Sequence, residues 1–140
     1  MSVRDQLAAI DLFADLPTAA LDDLVTRGTR FKVGAGKVLV RQGNTDSGLQ
    51  LVMAGTATIL INDAEVGTMT AGQHFGEMSL FDGAPRSATV VAGPDGLETF
   101  AVSPLAFADL LQAHPEVVRP IMRGLVGRIR RLEGNPVVDD

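Results

Sequence analysis

A carboxylate at Glu77 and a guanidinium at Arg86 stand nine residues apart in the stretch Phe75-Gly76-Glu77-Met78-Ser79-Leu80-Phe81-Asp82-Gly83-Ala84-Pro85-Arg86-Ser87-Ala88-Thr89-Val90. A carboxylate accepts hydrogen bonds from a pair of hydroxyls, and an arginine fork grips a phosphate. One ligand meeting both groups would be a sugar and a phosphate at once. Gly76 permits a close backbone approach that a side chain would block. Glu77-Met78-Ser79-Leu80-Phe81 reads as a single helical turn, whose first amides lack intrahelical partners and suit an anion. Asp82-Gly83-Ala84-Pro85 then reverses the chain, Arg86 returns to the same place, and Ser87 to Val91 is strand-like.

The segment resembles the phosphate-binding cassette of the cyclic nucleotide-binding domains, roughly F-G-E, two residues, Leu, a short turn, then P-R-[AST]-A-[TS]-V. The match covers Phe75, Gly76, Glu77, Leu80, Pro85, Arg86, Ser87, Ala88, Thr89 and Val90, with the family's spacing. The resemblance implies a ligand, cAMP or cGMP, and no cofactor besides it. Glu77 would accept from the ribose 2′-hydroxyl and Arg86 would pair with an equatorial phosphate oxygen. Backbone amides of Gly76, Met78, Ser79 and Ser87 would complete the cradle. Alanine at the Ser87 position accompanies cAMP selectivity in the family and threonine favours cGMP. Serine is intermediate and leaves the base open, with cAMP favoured over cGMP.

The purine would meet apolar strand residues. Ile59 and Met69 are the candidates, with Leu60 and Val66 as alternatives, because a slip of one residue turns each to the other face. Ordinary core is the competing reading for all four. With no Trp or Tyr in the chain, a stacking aromatic lid is not expected. Arg128 and Arg131 in the last helical stretch are the alternative lid, since an arginine plane can lie on a purine. A solvated basic face would explain the same two residues.

These groups need a scaffold. At 140 residues with 46% hydrophobic and 21% charged residues, the chain belongs to the soluble globular class and reads as one domain. Helical spacing runs from residue 4 to 27, broken at Pro17, which predicts two short helices over about 1–28. Short apolar runs separated by Gly34-Ala35-Gly36, Gly43-Asn44, Ser47-Gly48, Ala54-Gly55, Asn62-Asp63, Ala71-Gly72 and Gly93-Pro94-Asp95-Gly96 predict about eight strands over 29–103. That pattern fits a mainly β, antiparallel β-roll or jelly-roll barrel. Helical spacing returns over 104–133, interrupted at His114-Pro115, with Pro120 either opening or bending the final helix; residues 134–140 are a tail. This order also resembles the cyclic nucleotide-binding domain, supported by Gln42-Gly43, Asp46 and His114-Pro115-Glu116.

Composition narrows the function. The absence of cysteine excludes disulfides and thiol chemistry and suits a cytoplasmic address. No apolar run approaches the roughly 20 residues of a membrane span, and the N-terminus carries acids where a signal peptide would not. A net charge of −5 argues against general nucleic-acid affinity, although Arg119, Arg123, Arg128, Arg130 and Arg131 crowd the last quarter. His74 and His114 have no ligand cluster, so no metal is expected, and His74 reads as a solvent-facing turn residue. No motif suggests an enzyme. The leading expectation is a cyclic nucleotide-binding regulatory domain that moves its C-terminal helices on binding and signals through a partner protein. The alternatives are a degenerate, non-binding interaction module and a piece of a larger cAMP-responsive regulator.

Overall fold

From position 49 to 61 the run Leu-Gln-Leu-Val-Met-Ala-Gly-Thr-Ala-Thr-Ile-Leu-Ile is rich in apolar and β-branched residues, a composition that suits a pleated, packed surface. In the computed structural model, which describes residues 2–45 and 48–134, this run forms the strand β3 (Leu49–Ile61). It joins β1 (Thr29–Val33), β2 (Val38–Val40), β4 (Ala64–Thr70), β5 (His74–Phe75) and β6 (Thr89–Val102) in one antiparallel sheet. The order is β1-β6-β3-β4, with β2 also on β6 and β5 also on β3.

Eight short strands in a closed barrel therefore give way to six described strands in a sheet whose pairing does not close. The reason lies in Ala54-Gly55 and Gly93-Pro94-Asp95-Gly96, which collect turn-forming residues yet lie inside β3 and β6. The β3–β6 register slips between Val52 and Ala54 and again between Gly55 and Ala57. At Gly55, φ is +80° and the space a Cβ would need is taken by the carbonyl of Gly96. Bulges of this kind bend a strand without ending its ladder. A true two-residue turn does occur at Asn62 (φ 51°) and Asp63 (φ 65°), joining β3 to β4.

The chain divides into two compact units, Arg27–Ala108 with the whole sheet, and a helical unit from the residues on either side. The sheet unit is centred on Val40, Val52, Ala57, Met69, Val90, Ala92 and Leu97. Its short helix α3 (Ser79–Asp82) follows β5. The helices α1 (Val3–Ala8), α2 (Thr18–Arg27), α4 (Pro104–Ala113) and α5 (Val118–Leu132) complete the chain. Ser2 Oγ caps α1 by accepting from the Asp5 amide at 3.1 Å. Within the helical unit His114 Nε2 lies 3.0 Å from Asp23 Oδ2, and its Nδ1 lies 3.4 Å from Glu116 Oε1.

The last helix starts at Val118, two residues before Pro120, and runs on without a break. Proline in the first turn removes an amide that has no partner there in any case. Asp46 and residues 135–140 of the expected tail lie outside the described residues. No helix among the described residues is long and apolar enough to cross a membrane.

Candidate functional site

β5 carries Phe75 along β3 and stops at Gly76, where φ is +82°. A Cβ on Gly76 would overlap the Gly48 carbonyl oxygen and come 2.5 Å from Arg86 Nη1. The Arg86 guanidinium therefore lies on the backbone of the residue that precedes Glu77. Arg86 is thus brought to the residue next to Glu77.

After a turn at Glu77-Met78, α3 begins at Ser79, two residues later than the spacing suggests. The Ser79 amide is used locally, donating to the Gly76 carbonyl at 3.1 Å. Its hydroxyl is the more consequential group. Ser79 Oγ accepts from the Gly48 amide at 2.7 Å and donates to the Gly76 carbonyl at 2.7 Å. Ser79→Ala is expected to lower stability by about 1–3 kcal/mol, since two partly buried backbone groups lose a partner. A shifted urea midpoint at constant m-value is the measurement that checks it.

α3 ends at Gly83, which takes the left-handed conformation at φ 62°. Asp82 Oδ1 then accepts from the Ala84 amide at 2.9 Å, a local turn contact that sends the chain back through Pro85. Arg86 arrives already held. Its amide donates to the Asn44 carbonyl at 2.8 Å, and its carbonyl accepts from the Gly43 amide at 2.8 Å. Its Nη1 donates to the Gly48 carbonyl at 2.7 Å. Its Cζ sits 5.5 Å from the centre of the Phe75 ring, within cation–π range. Sequence reasoning missed Gly43, Asn44, Gly48 and the Phe75 ring as partners of Arg86. Gly43-Asn44 was visible only as a turn, because a backbone acceptor leaves no side-chain signature.

Glu77 and Arg86 are 7% and 8% exposed, whereas ionisable residues are almost never buried without partners. Two opposite charges held in a partly dry site interact more strongly with a polar ligand than they would in water. His74 differs from expectation. It lies on β5, half-buried, with Nε2 3.8 Å from Glu77 Oε2, a contact that is ionic when the imidazole is protonated. The i, i+3 spacing of His74 and Glu77 was the available signal.

Arg86 also lines a cavity of about 470 Å³, with Thr29, Phe31, Thr45, Gln50 and Ser103 among its walls. That is within the range of small-molecule sites. Gln50 is buried, and its Oε1 has no hydrogen-bond partner among the described residues. Buried acceptors of this kind are normally satisfied, if not by protein then by water or a ligand.

The inner face of the sheet takes up Met69 directly and Ile59 at its edge, packed with Phe75 against the core cluster. Ile59 faces Gly67 and Ala57 faces Met69 across β3–β4, with the register shift falling after Ile59. Val66 is 58% exposed, so it belongs to the other face, and Leu60 is half-buried outside the cluster. Met78 and Ser87 are exposed on either side of the Glu77–Arg86 turn. Arg128 and Arg131 lie on α5 in the helical unit, where Arg131 Nη2 is 3.6 Å from Asp11 Oδ2.

The family model for the cyclic nucleotide-binding domain matches residues 30–114. A cyclic nucleotide-gated potassium channel of Rhizobium etli is 33% identical over 122 residues, which is 87% of this chain and 34% of the channel. A cAMP-dependent protein kinase regulatory subunit of Blastocladiella emersonii is 33% identical over 108 residues, 74% of this chain and 27% of that protein. The chain thus spans about a third or less of these relatives. The N-terminal domain of a transcriptional regulator from Streptomyces coelicolor superposes with a TM-score of 0.84 at 24% identity, covering 96% of this chain and 99% of that one. At that identity the likeness speaks for the fold alone.

Proposed function

The chain belongs to the cyclic nucleotide-binding domain family, and from that premise we propose that it binds a cyclic nucleotide, cAMP in preference to cGMP. Domains of this family regulate and do not catalyse. One observation carries the reading: Glu77 and Arg86 are both buried, and Arg86 Nη1 lies against the backbone of Gly76, the residue before Glu77. In this proposal the Glu77 carboxylate accepts from the ribose 2′-hydroxyl, and the Arg86 fork takes the phosphate. Backbone amides of Gly76, Met78 and Ser87 supply further donors, while Ser79 holds the turn through its hydroxyl. The purine lies towards Ile59 and Met69. That face is apolar and offers guanine's donor-rich edge little to pair with, which favours adenine. Ser87, exposed beside Arg86, can serve either base.

Binding shifts the balance of conformations of the C-terminal helical segments α4 and α5, because the ligand contacts differ between the two states. The signal then passes to a partner protein. Calorimetric titration with cAMP and cGMP side by side tests the reading. A saturable signal with cAMP tighter than cGMP supports it, and no heat with either nucleotide removes it. Hydrogen exchange on the same samples is expected to change most within 118–132. Identical protection with and without nucleotide would leave a binding domain that does not switch.

A further inference from the structure

α5 contains Arg119, Arg123, Arg128, Arg130 and Arg131 and no acidic residue, in a chain whose net charge is −5. Its charges and its apolar side chains are sorted by face. Ile121 is buried, and Gly124 lets the helix approach Leu12, where an added Cβ would come 3.3 Å from Leu12 Cδ2. That side belongs to the helical unit. Val118, Met122, Val126 and Ile129 are exposed and recur at i, i+4, i+8 and i+11, a stripe along one side of a helix. Met122 is 58% exposed and Ile129 48%. Arg119, Arg123 and Arg130 each follow a stripe residue by one position and are all exposed, so they form a ridge along one flank of it.

We propose that this stripe and ridge form a docking surface for an amphipathic helix of another protein, with apolar residues against the stripe and acidic residues along the arginine flank. The chemistry excludes the obvious competitors in turn. In a pair of two copies through α5, every charged side chain that one helix presents to the other is an arginine, and like charges in contact oppose association. A lipid-surface helix anchors through Trp, Phe or Leu with basic residues along its polar face, whereas the exposed apolar side chains of α5 are Val118, Met122, Val126 and Ile129, with no aromatic residue and one leucine, Leu132, at the helix end. A partner helix needs only one charged flank. Arginine suits that partner, because its fork meets a carboxylate in two parallel hydrogen bonds. The proposal holds whether or not the chain binds a nucleotide.

Fluorescence anisotropy of the whole chain tests it, with a labelled amphipathic peptide of about five helical turns. The peptide carries leucines at the spacing of the stripe and glutamates along one flank; a second peptide has lysine for glutamate. The glutamate peptide is expected to bind at about micromolar Kd, and the lysine peptide roughly tenfold more weakly or worse. The triple variant R119E/R123E/R130E should reverse that order, and M122S/I129S should weaken both. All five side chains are exposed, so unchanged circular dichroism separates lost docking from lost folding. Equal binding of the two peptides, or none, overturns the proposal. So does tighter association with phosphatidylserine vesicles than with the glutamate peptide. A dimer in sedimentation that Ile129→Asp abolishes would also overturn it, in favour of self-pairing.

Discussion

Arg86→Ala is expected to weaken cAMP binding by roughly 30-fold or more, about 2 kcal/mol at the low end for a desolvated charge contact. The size of the effect follows from how Arg86 is held. Its main chain is fixed at both sides by Gly43 and Asn44, its plane rests near the Phe75 ring, and it is 8% exposed. A side chain positioned in this way loses little freedom when a ligand arrives, so most of the contact appears as affinity. Alanine also leaves the Gly48 carbonyl without the 2.7 Å bond from Nη1, so a modest fall in melting temperature should accompany the affinity loss. Arg86→Lys separates the two contributions. It keeps the charge and can still reach an acceptor, but it cannot grip two oxygens in one plane. Calorimetry should place it between the native chain and alanine. If alanine and the native protein bind cAMP equally, Arg86 is not in the site.

Gly76→Val is expected to abolish nucleotide binding and also to destabilise the fold, lowering the melting temperature by about 10 °C. Two causes act together. A β-branched residue at φ +82° is strained by about 1–3 kcal/mol. Its Cβ would also occupy the space of the Gly48 carbonyl and of Arg86 Nη1. The Gly48 carbonyl is backbone and cannot give way, and a guanidinium that did so would lose its 2.7 Å bond to that carbonyl. Gly76→Ala carries the same clash with a smaller side chain and should show a smaller fall in stability with a similar loss of affinity. Differential scanning calorimetry and a cAMP titration on both variants check this. A valine variant that melts with the native chain would show that the backbone at this point is not the constraint described.

The cassette was legible because its signals are local. Gly76, the Asp82-Gly83 reversal and Pro85 each act within a few residues, so spacing alone pointed to Arg86 returning to the backbone beside Glu77. The long strands were not, because a glycine pair that turns a chain and one that bulges it have the same composition. Gly55 became a bulge only because β6 lies beside it, which no window on the sequence contains. The role of Pro120 was left open for a related reason: a proline breaks helices in the interior yet is neutral in the first turn, and the end of the preceding 3-10 turn at Val117 decided which applied. The Gly48 carbonyl that receives Arg86 was invisible, since acceptors on the main chain are common to every residue. The ordered face of α5 was half seen, as a cluster of arginines without the stripe beside it.

Arg86 and the Gly48 carbonyl are 38 positions apart in the chain, and β3 is zipped to β6 from Leu49 opposite Val102. During synthesis the Gly48 carbonyl therefore leaves the ribosome well before both Arg86 and the far end of β6. Loop closure over such separations slows folding. A nascent chain released before residue 102 would carry Gly48, Gly76, Glu77 and Arg86 and still lack the Leu49–Val102 end of the β3–β6 ladder.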